Sequence, residues 1–560
     1  MSEIQPEDKP LRPFRLLRQD FCHLRQRYVS DWTTFNQLVI ASAVFVFFSN
    51  LLPGLTFAND LYVLTDRNWG TIEVIFSTGL CGVVFSLASA QPLTILGVTG
   101  PFCILAENLY SLCKSSFGIP FLPFLAWSLI HAAWMHYLLA IFNAHNWTMR
   151  YVTTFTTEIF SLLNSVIYFH KAIQELQRVH SQASFASFLY AIIGTVGTLL
   201  VAIFLSTAER WKPLFHRYIR MGLSEYAAAI SIIIFIGLPH AGELATLDRD
   251  TLYISSSFRP TDPERTIFFV QFWHLPVGWA FAAIIPGCII TILFFFDHEI
   301  SSVICTEKRF GTRKPGGPAW DIFLLGTTIA ICGILGIPPA NGLLPQAPLH
   351  SQSLLHRERN KRASHIVDEE EKSEPEEYDT VYEQRWSHFL HAGGILCFVS
   401  PPLMHVLGLT PTSVLAGLFL FMGEQSLSVN PILFRVFYLL TPSSELPRLP
   451  EGITGYLPIH LYTVFQVLIT AGIFIVTLTK AGPAFPVIII ALIPLRLTVM
   501  RRVWRKEILR YVDQWASRDG SPEDMVEEET AYPLQDGDID QDVQGVVPVQ
   551  PSSKCVSKEV

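Results

Sequence analysis

Two short stretches broken by glycine and proline, Gly97-Val98-Thr99-Gly100-Pro101 and Gly336-Ile337-Pro338-Pro339-Ala340-Asn341-Gly342, interrupt a chain that is otherwise a succession of long apolar runs. Unpaired main-chain groups are not tolerated in hydrocarbon, so irregular backbone at membrane depth survives only where it is packed in protein or lines a wet cavity. One such break in each half of a polytopic chain points to a substrate site. Thr99 can cap a helix whose first position is Pro101, a residue favoured there because its missing amide hydrogen would have gone unpaired anyway. Asn341-Gly342 can do the same in the second half, with Pro345 and Pro348 leaving the capping residue open. Two helix starts arriving from opposite sides, with Thr99, Gly100, Asn341 and Gly342 at their tips, aim unpaired N–H groups and partial positive charge at one point. Such a point suits a small anion.

Asp297 lies in the apolar run Leu293–Ser302. A carboxylate inside a spanning helix is costly unless it faces water or a partner, which makes Asp297 a candidate for substrate binding and for proton coupling. His298 and Glu299 point about 100° and 200° away around the helix and are expected behind it or at the interface. Glu107, Glu158 and Glu424 could line a path or cap cytosolic helix ends, whereas His131, His136, His170, His405 and His460 read as hydrogen-bonded interior or interface histidines. There is no Ser-His-Asp arrangement, no Gly-Lys-Thr/Ser phosphate loop and no dinucleotide fingerprint. The expectation is therefore a non-enzyme with no catalytic residues and no cofactor, driven by a gradient. Nine cysteines are scattered without a Cys-x-x-Cys pair, so neither a disulfide framework nor a metal site is expected.

The elements that must position these residues are membrane spans. Of 560 residues, 50% are hydrophobic and 16% charged, which excludes an ordinary soluble domain and makes the lipid bilayer, not nucleic acid, the surrounding partner. Fourteen candidate spans fall near 36–56, 71–91, 95–113, 120–143, 151–172, 184–206, 222–240, 271–303, 319–337, 341–355, 387–407, 411–427, 457–478 and 482–500. Basic residues gather on the cytosolic side of membranes. With the amino terminus inside, Arg210, Lys212, Arg217 and Arg220 follow span six, Lys308, Arg309, Arg313 and Lys314 follow span eight, and Arg501, Arg502, Arg505 and Lys506 follow the last. Both termini are then cytosolic. Two spans precede each break, and seven spans per half force opposite orientations, so the fold class expected is all-α integral membrane with two inverted repeats, 36–240 and 271–500. Around them lie a cytosolic tail 1–35, an extracellular loop 241–270, an acidic cytosolic loop 356–386 and an acidic cytosolic tail 501–560. The net charge of −8 arises largely from Asp368–Asp379, with eight acids, and Asp519–Asp542, with ten; both read as solvated stretches.

Particular words then carry a resemblance. Gln91-Pro92-Leu93, Gly97–Pro101, Phe155-Thr-Thr-Glu-Ile-Phe-Ser161, Phe296-Asp297-His298, Val381-Tyr-Glu-Gln-Arg385 and Gly417-Leu-Phe-Leu-Phe-Met-Gly423 resemble the bicarbonate/borate (anion-exchanger-like) family of solute carriers, from about Asp31 to Met500. Asn50-Leu-Leu-Pro53 and Pro339–His350 are most similar to its fungal boron-transporting branch. The resemblance implies core and gate domains, a homodimer through the gate, and an elevator-type movement of the core. It matches Asp297 to the family's acidic position in span eight and the two helix starts to its anion site. Family exchangers of bicarbonate and chloride carry a large amino-terminal domain, absent from the 35 residues here, and a basic residue where the proline-rich stretch aligns Gln346. A neutral amide both donates and accepts, which suits tetrahydroxyborate better than a halide. The expected function is borate export at the plasma membrane, with the vacuolar membrane as the other location and transport of bicarbonate or another inorganic anion as the alternative.

Overall fold

The computed structural model describes residues 12–182, 184–212, 214–241, 244, 250–344, 346–359, 377–450, 452–453, 455–479, 481–517 and 520–524. Most of Asp368–Asp379, most of Asp519–Asp542 and residues 242–243 and 245–249 of the expected extracellular loop lie outside the described residues.

The first half begins with α1 (Arg15–Thr33), then α2 (Gln37–Leu64), α3 (Thr71–Ala88), β1 (Leu96–Gly97), α4 (Gly100–Leu112), α5 (Phe121–Ile141), the short α6 (Ala144–Thr148), α7 (Thr154–Gln182), α8 (Phe185–Ser206), α9 (Arg217–Glu225) and α10 (Ala227–Gly237). The second half has α11 (Val277–Ala282) leading into α12 (Ile284–Cys305), then α13 (Pro318–Leu335), β2 (Asn341–Gly342), α14 (Gln346–Ser353), β3 (Leu355–Arg359) and β4 (Glu377–Val381). It continues with α15 (Trp386–Cys397), α16 (Pro401–Leu407), α17 (Thr412–Ser428), α18 (Pro431–Leu440), α19 (Leu457–Thr477), α20 (Phe485–Pro494), α21 (Arg501–Val503) and α22 (Lys506–Val512). The all-α expectation is amended by two antiparallel pairs, β1 with β2 and β3 with β4.

Among the described residues, 8 helices are long and apolar enough to cross a membrane, or up to 11 when each sharply bent pair is one span: α9 with α10 at 70°, α15 with α16 at 90°, α17 with α18 at 76°. The three other expected segments coincide with α4, α7 and α14. With 13 and 8 residues, α4 and α14 are too short to cross a hydrocarbon layer that needs about 20 helical residues. Helix α7 is long enough at 29 residues but carries Glu158, Lys171, Glu175 and Arg178.

Packing divides the helices into two bodies. Helices α12 and α13 lie along α5, with α2, α3 and α15 packed beside them, whereas α7, α8, α10, α17 and α19 pack on one another. Gly326 and Gly333 of α13 face α5, where a β-carbon would stand 3.0 Å from the Ala133 carbonyl oxygen and 2.9 Å from Leu129 Cβ respectively. Bare glycine faces let these backbones approach closely, the usual device where hydrocarbon offers no hydrophobic drive.

The motif Glu383-Gln384-Arg385 proves mechanical. Arg385 is fully buried; its guanidinium donates to the Ser86 and Ser89 carbonyls at 3.1 and 2.6 Å, closing the orphan end of α3, and to Asp31 at 3.2 Å. Asp31 also holds Arg27 at 3.1 Å and Lys314 at 2.6 Å, so the buried charges form a connected network rather than an isolated pair. Asp20 accepts the Ala319 and Trp320 amides at 2.8 and 3.3 Å, fastening α1 to the start of α13. Burial nevertheless pushes its carboxyl up to about 7. At the other end of the chain, Arg496 pairs with Asp513 at 2.5 Å and Glu523 at 3.0 Å. Asp513 in turn accepts from the Thr154 hydroxyl at 2.7 Å and the Phe155 amide at 2.8 Å. Glu523 is 1% exposed, so the reading of Asp519–Asp542 as solvated fails near its start, where the arginine pairing buries it.

Candidate functional site

The two breaks meet. β1 pairs with β2 in the register Leu96 to Gly342 and Gly97 to Asn341, and the Leu343 amide donates to the Ile95 carbonyl at 2.9 Å. Irregular backbone from each half thus satisfies the other's polar groups inside the bundle, which is what hydrocarbon demands. The first break is further held by Asn50 of α2, whose Nδ2 donates to the Leu96 carbonyl at 2.8 Å. A β-carbon at 97 would lie 2.6 Å from Asn50 Oδ1, so any larger residue must displace the side chain that holds the break. The second break follows from Gly336, which ends α13 at φ 60°, a left-handed conformation that glycine adopts without steric cost. The prolines after it cannot resume a helix.

From β1 the chain enters α4. Thr99 holds the N-cap position, but the helix begins at Gly100 with Pro101 second, and the Thr99 side chain makes no capping bond. Its buried hydroxyl is without a partner, and helix geometry leaves the Gly100 and Phe102 amides without intrahelical acceptors. The expectation that Asn341-Gly342 caps the second half-helix is also corrected: strand pairing claims both residues, and α14 starts at Gln346.

Asp297 sits on α12, 2% exposed. Its Oδ2 accepts from Asn341 Nδ2 at 3.4 Å, while Oδ1 is buried without a partner. Gln346 is oriented by a proline in another helix. Pro53, inside α2, has no N–H to give the Ser49 carbonyl one turn back, and Gln346 Nε2 donates to that freed carbonyl at 3.3 Å. With its amide nitrogen so placed, Gln346 Oε1 is left buried and unpartnered. Of the six expected residues, Gly342 and Asn341 pair with Leu96 and Gly97, Thr99 and Gly100 follow that strand, Asp297 bonds Asn341, and Gln346 opens the adjoining half-helix.

Asn50, Ser49 and Pro53 were not expected at the site, although Asn50 in an apolar run was a legible polar signal. Phe57 and Tyr168 wall the tip of α4, each with ring carbons 3.4 Å from where a Gly100 β-carbon would be. His298 and Glu299 are buried, at 1% exposure each, not interfacial; Glu299 pairs with His145 Nδ1 at 2.5 Å. Glu158 does not line this site either but is bound by Arg435 and Gln466. No group of three or more His, Cys, Asp or Glu able to hold a metal occurs among the described residues.

The two strand-paired breaks, the start of α4 and a buried carboxylate are thus brought together inside a bundle of apolar helices. The chain belongs to the bicarbonate transporter family: the model of the HCO3− transporter integral membrane domain matches residues 12–188 and 179–517. It is 35% identical over 491 residues to a putative transporter of Schizosaccharomyces pombe, covering 87% of this chain and 93% of that protein. It is 34% identical to Boron transporter 1 of Saccharomyces cerevisiae, covering 83% and 79%. Among solved structures, the transmembrane domain of the cyanobacterial bicarbonate transporter BicA superposes with a TM-score of 0.53 over 84% of this chain and 100% of that one, at 14% identity. This last likeness is one of fold.

Proposed function

We propose that this protein is a secondary active transporter that exports borate. The observation that carries the reading is the set of three buried, unpartnered oxygens at the site, Thr99 Oγ1, Asp297 Oδ1 and Gln346 Oε1, beside helix starts that offer N–H donors. A site with both donors and spare acceptors complements a solute bearing negative charge and several O–H groups. Tetrahydroxyborate has four hydroxyls, bicarbonate one and chloride none. Each buried polar atom left unmatched costs about 1–3 kcal/mol, so a solute that fails to donate is discriminated against. The likeness to a protein named Boron transporter 1 points the same way.

In this reading the chain forms fourteen spans as two inverted repeats of seven, with both termini cytosolic, in the plasma membrane. The body containing α5, α12 and α13 is the moving core, the body containing α7, α17 and α19 is the gate and dimer contact, and the site rides with the core in an elevator-type cycle. Asp297 couples protons, because a carboxylate beside an arriving anion is relieved of repulsion by taking one up. The test is boron content of cells expressing wild type or Asp297→Asn at two external pH values, with bicarbonate flux measured in parallel. Asp297→Asn is expected to abolish the pH response and lower export. Unaltered export and pH response refute the coupling role, and bicarbonate flux without boron export refutes the substrate.

A further inference from the structure

A second charged locus lies at the end of the bundle remote from α1 and α22. Lys171 of α7, 3% exposed, is within 3.1 Å of Asp60 of α2 and 2.9 Å of Glu107 of α4. It therefore ties the second body to two helices that frame the site. Asp60 is also 3.7 Å from Arg178, which pairs with Glu175 at 2.6 Å. Beside Lys171 is a cavity of about 140 Å³ between α4 on one side and α7 and α19 on the other, lined by Glu107, Asn108, His170, Lys171, Gln174 and Thr477 among others. The imidazole Nε2 of His170 and Oε1 of Gln174 are buried without partners. The seam is shut tightly at Gly482, where a β-carbon would stand 2.7 Å from both Asn108 Nδ2 and the Thr477 carbonyl oxygen. Among the described residues, Lys171 is the one formal cation lining the cavity.

We propose that this cavity is a gated anion subsite: Asp60 and Glu107 occupy the Lys171 ammonium in the arrangement seen here, and a small oxyanion occupies it once α2 and α4 move away. The physical reason is charge compensation. A lysine this deeply buried requires a negative partner, and of its two carboxylates Asp60 stands on α2 of the other body and Glu107 on α4, which packs on α2, α7 and α12. When the bodies separate, the ammonium faces the widened cavity, and an anion crossing from the helix tips toward this end of the membrane replaces the lost partners. The identity of that anion rests on the borate reading; the subsite does not.

The experiment uses the full chain in proteoliposomes with a reporter cysteine, Gln174→Cys, and a membrane-impermeant thiol reagent, with labelling of the unmodified chain subtracted as background. Glu107→Gln weakens the tie and is expected to raise labelling at 174 several-fold. Borate is expected to slow that labelling, and Lys171→Gln combined with Glu107→Gln to abolish the protection. Lys171→Arg keeps the charge and is expected to retain protection, which keeps the test readable if Lys171→Gln is lost in purification. Labelling unchanged by Glu107→Gln, or borate protection that persists without a cation at 171, overturns the proposal. Protection by bicarbonate but not borate supports the subsite and overturns the borate assignment instead.

Discussion

Replacing Pro53 by alanine separates the stability of this fold from its binding chemistry. Pro53 denies the Ser49 carbonyl its intrahelical donor, and Gln346 Nε2 fills the vacancy at 3.3 Å. Alanine restores an N–H aimed at the same carbonyl and removes a ring that costs an interior helix about 3 kcal/mol in an unadapted setting. The helix gains and Gln346 loses its anchor. A neutral hydrogen bond of this kind contributes about 0.5–1.5 kcal/mol, and with about 1.4 kcal/mol per tenfold the half-saturating borate concentration is expected to rise about 2- to 12-fold. The assay is the initial rate of borate flux into proteoliposomes at stepped concentrations, beside thermal melting of the solubilised protein. Melting should move up while apparent affinity falls. Gln346→Met removes the substrate-facing Oε1 together with the anchor and should weaken affinity at least as much, and the double variant should be no worse than Gln346→Met alone, since Pro53→Ala acts through Gln346. An unchanged half-saturation with a higher melting temperature, or fully additive losses, refutes the claim that the freed carbonyl orients Gln346.

Two further outcomes follow from the geometry. Gly97→Ala places a methyl group 2.6 Å from Asn50 Oδ1 and 2.9 Å from Leu343 Cδ1; overpacking of this kind costs about 1–3 kcal/mol, so protein should reach the membrane in reduced amount and transport poorly per molecule, whereas normal transport would show that the crossing tolerates expansion. Asp20, pushed up to about 7 from an ordinary value of 3.8, holds its proton more tightly folded than unfolded, so its contribution to stability is present at low pH and is lost as pH rises through that window. Melting of Asp20→Asn should therefore exceed wild type at pH 8 and match it near pH 4, and a parallel offset at both pH values would exclude titration as the cause.

The breaks were legible because glycine and proline announce where a helix cannot continue, and Asp297 because a carboxylate stands out in an apolar run. What residue types could not reveal was which groups take each other as partners. Thr99 has the chemistry of a cap yet spends none of it on its helix, and Asn341 looked like a cap but is absorbed by a strand pair whose other member lies in the opposite half of the chain. Arg385 was readable as part of a motif, but its role depends on Asp31, 354 residues earlier. Lys171 escaped attention because it stood at the predicted end of a span, where a lysine is ordinary; only the approach of α2 and α4 makes it exceptional. Spacing encodes helices and their interruptions, whereas long-range pairing is decided by packing.

The carboxylate fastenings of α1 and of the segment after α20 assign each of them to a different body. Asp20 bolts the leading helix to the start of α13 and Asp31 bolts it to Arg385 at the start of α15, while Asp513 bolts the end of α22 to the first turn of α7. The polypeptide thus carries a handle on each of the two bodies. Should those bodies slide, a pair of dyes on the two handles would report the stroke without intruding on the candidate site, and any partner able to grasp both at once would serve as a brake.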